Sequence, residues 1–477
     1  MEKTFFLQQS SALTILILSS FLFAFIGIFY SRKYRGSSNY LTAGRKIGTL
    51  SLTTSLVASA LGAWILFGPA SAATWGGIGA VIGYALGTAF PMIALIFLGK
   101  KIRKAFPKGI TFTQYIFYRI GKKLFKFIIF LSIFYMFIFL CAEITAVAIL
   151  INYISSTPLW LTASLVIIST LIYTLYGGLR ASIITDNLQF FIVATLLIIC
   201  LFNIFSSDLI ASKELSSSSL NLLSGNYIPN YTSGITFFIA VAATNLFHQG
   251  NWQRVFAAKD YNVLKRSLKF SFMIIIPTVF IMGITGIFAI SLDNKINPDL
   301  AFFSLLLKEN SEIIAVAVII LAISLTVSTL DTLINGISSL IIVDGKKISK
   351  NINSSNFIII MLSIIALFVA SKGFSILYLF LLADLFCCAA VVTIFYGFFN
   401  RKISSQMSYL SILSALILGI LFFPSMDFQS SILVGNLLPI EYFSSIITTN
   451  LLFISFAIAI ITQFFFIIFY SLRSSFK

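Results

Sequence analysis

The sequence predicts an all-helical membrane protein with about thirteen transmembrane helices, an outside N-terminus and an inside C-terminus. Three observations predict this class. Hydrophobic residues make up 59% of the 477-residue chain and charged residues only 10%, whereas soluble proteins are roughly 25% charged. Apolar runs of about 20 residues, each long enough to cross a bilayer, recur along the whole chain. The basic residues, finally, fall almost entirely in alternate loops.

The apolar runs define the predicted membrane spans. They predict a multi-pass protein of the plasma membrane, which for a bacterial-type cell is the inner membrane. A chain with this many spans needs the lipid bilayer as its main partner. The spans are centred near Phe21, Leu61, Leu86, Tyr135, Ile167, Leu196, Val241, Phe280, Ile323, Ile365, Cys387, Leu416 and Ala459.

The distribution of positive charge predicts the orientation. With the N-terminus outside, the inside loops hold 27 of the 32 Lys and Arg residues, including the stretches 32–46, 100–126 and 254–269. Loops that stay in the cytoplasm are enriched in Lys and Arg. The net charge of +17 is therefore explained by topology, and we expect no nucleic-acid partner.

Known catalytic motifs are missing from the sequence. It contains no phosphate-binding loop, no Cys/His cluster and no nucleophile motif. The four cysteines, Cys141, Cys200, Cys387 and Cys388, all lie in apolar segments, so a disulfide framework is not expected. We expect neither an enzyme nor an ATP-driven pump, and no organic cofactor.

Two spans are interrupted by residues that disfavour a continuous helix. The second, residues 51–75, contains Gly62, Gly68 and Pro69, and the seventh becomes polar over residues 244–251. Interrupted spans at corresponding places in two halves of a chain indicate a transporter binding site, because unwound backbone offers free carbonyls to a cation. The alternative is that the small residues serve close helix packing.

Four carboxylates lie within or at the edge of predicted spans, where buried charge is costly and usually functional. In the ninth span Ser328, Asp331 and Thr332 stand at i, i+3 and i+4, so they share one helix face. Hydroxyl and carboxylate oxygens are hard ligands that suit Na⁺. The sequence therefore predicts a cation role for this face.

The other three carboxylates leave alternatives open. Asp186 lies toward the end of a predicted inside loop, residues 176–189, and is predicted either to cap the next helix or to join the cation site. Glu143 and Asp384 have no basic partner at a similar depth in the sequence. Each is predicted to be protonated, to pair with a hydroxyl, or to face a water-filled cavity.

Three passages of the sequence are distinctive. They are residues 173–180 (Tyr-Thr-Leu-Tyr-Gly-Gly-Leu-Arg) running on to 185–189 (Thr-Asp-Asn-Leu-Gln), residues 252–259 (Trp-Gln-Arg-Val-Phe-Ala-Ala-Lys), and Ser328-Thr329. Together they resemble the sodium:solute symporter family, which includes proline, sugar, sialic acid, pantothenate and urea transporters. Proline transporters of the family carry an aspartate where this chain has Ala60. The resemblance therefore argues against simple equivalence with the proline carriers.

The resemblance implies a fold built from two inverted repeats of five spans with broken helices, a LeuT-like core. It implies the following division of the chain. Residues 1–46 form a peripheral helix and an inside loop, 47–206 the first repeat, 207–231 an outside Ser-rich loop, 232–400 the second repeat, and 401–477 two peripheral helices.

The resemblance also implies the sites. The main sodium site would use the carbonyls of Ala58, Leu61 and Leu325 with the hydroxyls of Ser328 and Thr329. A second cation or proton site would combine Asp186 with Asp331 and Thr332. We assign solute contacts to Trp64, Glu143, Thr244, Asn245 and Asp384, and a carboxylate such as Glu143 would favour a solute with N–H donors or positive charge.

These assignments predict a Na⁺-coupled secondary active symporter that imports a small polar solute by alternating access. Na⁺ is the only co-transported ion that this prediction needs, and no obligatory protein partner is evident. Two alternatives remain. One is a proton-coupled symporter of the same fold, and the other is a channel-like or sensory membrane module without transport coupling.

Overall fold

The computed structural model describes residues 6–206, 216–308, 311–348, 355–400 and 403–475. Within these ranges the chain is helical, and the only β-structure is a few isolated bridges. The prediction of an all-helical protein is confirmed.

Thirteen helices carry the architecture, joined by shorter helical turns. They are α1 Gln9–Ser31, α2 Thr49–Ala60, α3 Gly68–Ala105, α4 Lys122–Ser155, α5 Leu159–Ser206, α6 Pro229–Phe247, α7 Gln249–Ala257, α8 Tyr261–Leu292, α9 Glu312–Ser339, α10 Ser355–Ala370, α11 Ile376–Phe399, α12 Ser405–Phe422 and α13 Leu451–Ser475.

Nine helical stretches in the described ranges are long and apolar enough to cross a membrane. One of them, α5, holds two predicted spans and is kinked between them at Gly178 (φ 57°). Helix α3 holds the third span and the end of the second, and is kinked at Gly77 (φ 60°). Twelve of the thirteen predicted span centres lie in helices, and Leu61 lies in a break. The number of membrane crossings and the orientation of the termini stay predictions.

The kink in α5 corrects one expectation. Residues 176–189, predicted as an inside loop, are helical on both sides of Gly178. A Cβ at Gly178 would approach the backbone oxygen of Tyr40 to 2.5 Å. The positive φ and this close approach both require glycine, so a single residue makes the turn for which the sequence suggested a loop.

The helices differ greatly in burial. In the helix that begins with α9, 83% of an apolar 18-residue segment is buried inside the protein. The corresponding buried share is only 33% in α1 and in α12. Large apolar side chains such as Phe97 and Phe202 are about 70% exposed, which suits a surface that faces lipid. The helix that carries Ser328 and Asp331 is therefore at the centre of the bundle.

Two further expectations concern loops and cysteines. Part of the predicted Ser-rich loop, Ser217–Leu223, is a short helix whose N-terminus is capped by Ser216, and residues 207–215 lie outside the described ranges. All four cysteines are free and buried, as their apolar surroundings in the sequence indicated.

Candidate ion and solute sites

The second predicted span is broken at its middle, as its glycines and proline indicated. Helix α2 ends at Ala60, a 3-10 turn follows at Ala63–Leu66, and α3 begins at Gly68. At Gly62 a Cβ would collide with the Glu143 carboxylate and with Oγ1 of Thr329. The break therefore lies directly against α4 and α9, and only glycine leaves enough room there.

Glu143 has a partner that its sequence context did not reveal. Its Oε2 accepts a hydrogen bond from the backbone N–H of Ala63 at 2.8 Å, the first residue of the 3-10 turn. A carboxylate at this position satisfies backbone donors that the break leaves without helical partners. Its other oxygen, Oε1, is buried and has no hydrogen-bond partner among the described residues. Glu143 thus stabilises the broken helix.

The predicted main sodium ligands lie on the broken span and on α9. Ala58 and Leu61 belong to the end of α2 and the start of the break, and the Ile65 N–H is bonded to the Gly62 carbonyl and not to that of Leu61. On α9, Oγ1 of Thr329 lies beside Gly62 and is buried without a hydrogen-bond partner in the described part of the chain. Unpartnered buried oxygens are costly, and a hard cation would satisfy them.

A second cluster lies beside the first and contains an ion pair. Asp186, which α5 carries, accepts hydrogen bonds from Ser55 at 2.5 Å and from Ser328 at 2.6 Å. Nη2 of Arg254 lies 2.7 Å from Oδ2 of Asp186, and both side chains are fully buried. Asp186 lies inside a helix and does not cap one, so the capping alternative is wrong.

Arg254 itself is held from four sides. Besides Asp186, its guanidinium donates to the Ser55 hydroxyl at 2.8 Å, the Gly250 carbonyl at 3.1 Å and the Thr332 hydroxyl at 2.9 Å. In the charge count of the sequence Arg254 belonged to an inside loop. The structure corrects this assignment, because Arg254 is buried in the bundle, and it reduces the topological count by one residue.

Asp331 has hydrogen-bond partners but no ion pair among the described residues. No basic group lies within 4.0 Å of its carboxylate in the described ranges. Instead it accepts hydrogen bonds from Tyr173 and Ser182, both at 2.6 Å, and longer ones from Thr185 and Thr332. These hydroxyls hold the carboxylate in place without supplying positive charge.

The two carboxylates and the guanidinium leave the cluster with one negative charge in excess when all three are ionised. In a low-dielectric interior such an excess is costly. The sequence indicated two carboxylates without a basic partner, and therefore required either a Na⁺ between them or a proton on one of them. With Arg254 present, one additional Na⁺ or proton makes the cluster neutral.

The motif 252–259 joins the seventh span to this cluster. Helix α6 ends at Phe247, His248 has an extended ψ of 110°, and α7 begins at Gln249. The side chains of Asn251 and Trp252 donate hydrogen bonds to the backbone carbonyls of Asn245 and Leu246, which lie just before the break. The predicted interruption of the seventh span is confirmed, and the side chains of the motif satisfy the freed backbone.

Between the two broken spans lies a cavity of about 30 Å³, here called the inner cavity. Four of the residues assigned to the solute line it, namely Trp64, Thr244, Asn245 and Asp384, whereas Glu143 does not. Its remaining walls are formed by Ser59, Ala60, Tyr84, Phe139, Val241, His248, Thr329 and Phe380.

Asp384 is the acidic group of the inner cavity. One of its oxygens accepts a hydrogen bond from Thr244 at 2.6 Å, and the side chain is only 4% exposed. None of the described residues lining the cavity is Lys or Arg, and four of them are aromatic. A buried carboxylate among aromatic rings favours a positively charged ligand, because the rings attract cations through their faces.

Several residues of these sites were not assigned from the sequence. They include Ser55, Tyr173, Ser182 and Arg254 in the cluster, and the rings of Tyr84, Phe139 and Phe380 in the inner cavity. Arg254 and Tyr173 do lie in the two motifs that the sequence singled out. The two motifs therefore pointed to these two residues in the sequence. Their roles became clear only from the contacts between helices.

Comparisons with known proteins agree on the class. A model of the sodium:solute symporter family matches residues 40–372 of this chain. Among curated proteins, the spermidine transporter DUR31 of Candida albicans is 27% identical over 395 residues, which cover 82% of this chain and 75% of that transporter.

Solved structures show the fold. A substrate-bound, outward-open Na⁺-coupled sialic acid symporter is 15% identical and superposes with a TM-score of 0.68, over 94% of this chain and 97% of its own. Mhp1, a nucleobase-cation-symport-1 family transporter in a closed conformation, is also 15% identical, with a TM-score of 0.55 over 91% and 96% of the two chains. This chain therefore shares the LeuT-type fold of these transporters.

Proposed function

Because the chain belongs to the sodium:solute symporter family, we propose that it is a Na⁺-coupled secondary active symporter that imports a small, positively charged amine by alternating access. The observation that carries the proposal is the position of Thr329. Its hydroxyl, which has no hydrogen-bond partner among the described residues, faces the break in the second span, and Thr329 also lines the inner cavity. Ion and solute would therefore meet at one residue.

The main sodium site consists of the Ala58, Leu61 and Leu325 carbonyls and the Ser328 and Thr329 hydroxyls. Na⁺ bound there ties the broken second span to α9. If one arrangement of these two elements binds Na⁺ more tightly than the other, Na⁺ shifts the population toward it. The same difference in affinity couples Na⁺ to the solute, because such coupling is reciprocal.

The second cation site comprises Asp186, Asp331 and Thr332. Arg254 already neutralises one carboxylate, which supports a single additional cation at this cluster. We propose Na⁺ as that cation, with Asp331 as its charged ligand. A proton on Asp331 is the alternative, and it would make the protein a proton-coupled symporter of the same fold.

The solute binds in the inner cavity, with Asp384 as its charged contact and Trp64, Thr244 and Asn245 around it. The lining supports an amine, because the cavity offers a carboxylate and aromatic faces, and its described lining residues include no Lys or Arg. The relative from Candida albicans is a spermidine transporter, and spermidine is a polycation at neutral pH. Glu143, in contact with Ala63 and outside the cavity lining, is proposed as a structural group.

The small size of the inner cavity supports alternating access. A cavity of about 30 Å³ has room for roughly one water molecule, whereas small-molecule sites usually measure about 300–1,000 Å³. An organic solute therefore needs a rearrangement of the helices to enter. We propose that the protein works in the plasma membrane with its N-terminus outside, as the loop charges indicate.

Uptake into sealed vesicles that contain the purified protein tests the proposal. A Na⁺ gradient imposed at constant pH should drive accumulation of a radiolabelled amine, and dissipation of the gradient should abolish it. Accumulation driven only by a proton gradient would establish the proton-coupled alternative. Equilibration without accumulation under either gradient would indicate a channel-like protein.

A further inference from the structure

A cavity of about 510 Å³, here called the basic pocket, lies where α1 ends and α5 is kinked. Its walls come from the end of α1, the segment that follows it, α5 and the turn after α9, and its polar lining residues are Ser31, Tyr34, Arg35, Ser37, Tyr40 and Tyr176. The volume is within the range of small-molecule sites. None of these residues belongs to the ion and solute sites described above.

The polar groups of the basic pocket suit an anion. Arg35 supplies a guanidinium that makes no ion pair or side-chain hydrogen bond with the described residues, and three tyrosines and two serines supply hydroxyls. No Asp or Glu occurs among the described lining residues, and the sequence has none between Glu2 and Glu143. Guanidinium and hydroxyl groups together are the usual donors to phosphate oxygens.

A second guanidinium lies beside the pocket wall. Arg180 of α5 stacks on the ring of Tyr34, with 3.9 Å between its Cζ and the ring centroid, and its Nη1 donates to the Ala43 carbonyl at 3.3 Å. Its Nε is buried and has no hydrogen-bond partner among the described residues. The positive charge near the pocket is therefore not neutralised by the residues around it.

The surface next to the pocket suits lipid. In the last two turns of α1, Phe25, Phe29 and Tyr30 are 49–63% exposed, as is Tyr176 in the pocket wall, at 50%. Exposed apolar rings inside a predicted membrane span face acyl chains, and tyrosines are enriched at the level of the headgroups. The pocket thus opens at the membrane interface, on the side that the loop charges predict to be cytoplasmic.

We infer that the basic pocket binds the phosphate headgroup of an anionic phospholipid, with Arg35 as its charged contact and the acyl chains against Phe25 and Phe29. Basic pockets at the cytoplasmic ends of membrane helices recognise such headgroups. A soluble phosphate ester has the same headgroup chemistry, but the exposed rings beside the pocket favour a ligand with acyl chains. The inference uses the predicted orientation and does not depend on which solute is transported.

A lipid in the basic pocket would brace several elements at once. Tyr40 lies 3.3 Å from the Ser338 hydroxyl of α9, measured between the two oxygens, and its backbone packs closely against Gly178 at the kink of α5. A ligand that touches Arg35, Tyr40 and Tyr176 therefore joins the end of α1 to α5 and, through Tyr40, to α9. Because it binds the folded protein, it should raise the Tm as its concentration rises.

The test measures lipid binding to the purified full-length protein in detergent. Phosphatidylglycerol is titrated, its binding is followed by native mass spectrometry, and the Tm is recorded in the same samples. Arg35→Gln should weaken phosphatidylglycerol binding roughly three- to tenfold, because one charged contact with the headgroup is lost. Phosphatidylcholine, whose headgroup has no net charge, should bind at least about threefold more weakly than phosphatidylglycerol to the wild type.

Lys33→Gln is the matched control. Lys33 is exposed and two residues from Arg35, and it is not part of the pocket lining, so the variant removes the same charge from the same surface. Its affinity for phosphatidylglycerol should stay within about twofold of wild type. Arg35 is exposed, so Arg35→Gln should fold, and its Tm without added lipid should equal that of Lys33→Gln.

Equal weakening by Lys33→Gln and Arg35→Gln would overturn the inference, because it would indicate diffuse attraction to a basic surface. Equal affinity for the two lipids would overturn it as well. Glycerol 3-phosphate distinguishes the two sources of phosphate: it should neither raise the Tm nor displace phosphatidylglycerol at a tenfold excess. If it binds as tightly as the lipid, the pocket serves a soluble phosphate ester and the lipid inference is wrong. These measurements need no transport, so failure of the proposed function is detected separately, in the uptake assay.

Discussion

Arg254 and Asp186 form a fully buried ion pair, with 2.7 Å between Nη2 and Oδ2. The arginine comes from the helix that follows the break in the seventh span, and the aspartate from the helix that follows the kink at Gly178. Ser328 of α9 contacts the same carboxylate. The pair thus links both halves of the chain to the helix that carries the proposed cation ligands.

The ion pair predicts a non-additive effect on stability. Arg254→Met leaves Asp186 charged and unpaired, and Asp186→Asn leaves Arg254 unpaired, so each should lower the free energy of unfolding by about 3–5 kcal/mol. The double variant should lose less than the sum of the two, because neither charge is left alone. Thermal unfolding in detergent measures this. Arg180→Met, at a half-buried arginine stacked on Tyr34, is the control, and additive losses would contradict the prediction.

Thr329 predicts a specific loss of Na⁺ affinity. Thr329→Ala removes a proposed ligand that has no hydrogen bond within the described structure, so the fold should tolerate it. The Na⁺ concentration for half-maximal uptake should rise about five- to a hundredfold, equivalent to about 1–3 kcal/mol. Ser328→Ala should do the same and also weaken the contact with Asp186.

Thr326→Ala is the matched control for Thr329→Ala. Thr326 is on the same helix, is buried and likewise has no partner for its hydroxyl among the described residues, but it is not a proposed ligand. Its half-maximal Na⁺ concentration should equal that of the wild type. If Thr326→Ala and Thr329→Ala behave alike, the main sodium site is misplaced.

The proposed role of Asp331 as a cation ligand predicts the number of coupled ions. With a second Na⁺ at the cluster, the Hill coefficient for Na⁺ in uptake should exceed one in the wild type. Asp331→Asn removes the excess negative charge, so the coefficient should fall toward one while transport through the main site continues. A wild-type coefficient near one, with uptake that depends on pH, would instead support the proton alternative.

Asp384 predicts charge selectivity in the inner cavity. Asp384→Asn should raise the half-saturating amine concentration at least tenfold, because a buried charged contact is worth about 1.5–3 kcal/mol, and should leave Na⁺ binding without solute nearly intact. Glu143→Gln is the comparison, since a glutamine oxygen can still accept from Ala63. The half-saturating amine concentration of Glu143→Gln should stay within about twofold of wild type. An increase equal to that of Asp384→Asn would place Glu143 in the solute site.

The sequence determined the class of this protein and much of its local structure. Composition and apolar runs require a membrane-spanning helical bundle, because only helices and closed barrels satisfy every backbone group in lipid. Gly62 and the polar stretch at residues 244–251 located the two breaks, since helix interruption depends on local residue type. The motif at Ser328-Thr329 and the family resemblance predicted an ion site on α9, which stays a proposal.

Only the tertiary structure decided which charged groups meet. Arg254 is near Lys259, Lys265 and Arg266 in the chain, so the sequence grouped it with a loop, whereas the break at His248 directs its helix into the bundle beside Asp186. Glu143 and Ala63 are 80 residues apart, and Asp384 and Thr244 are 140 apart. Hydrogen bonds over such separations depend on how helices pack, and residue type or spacing along the chain does not encode that packing in any readable pattern.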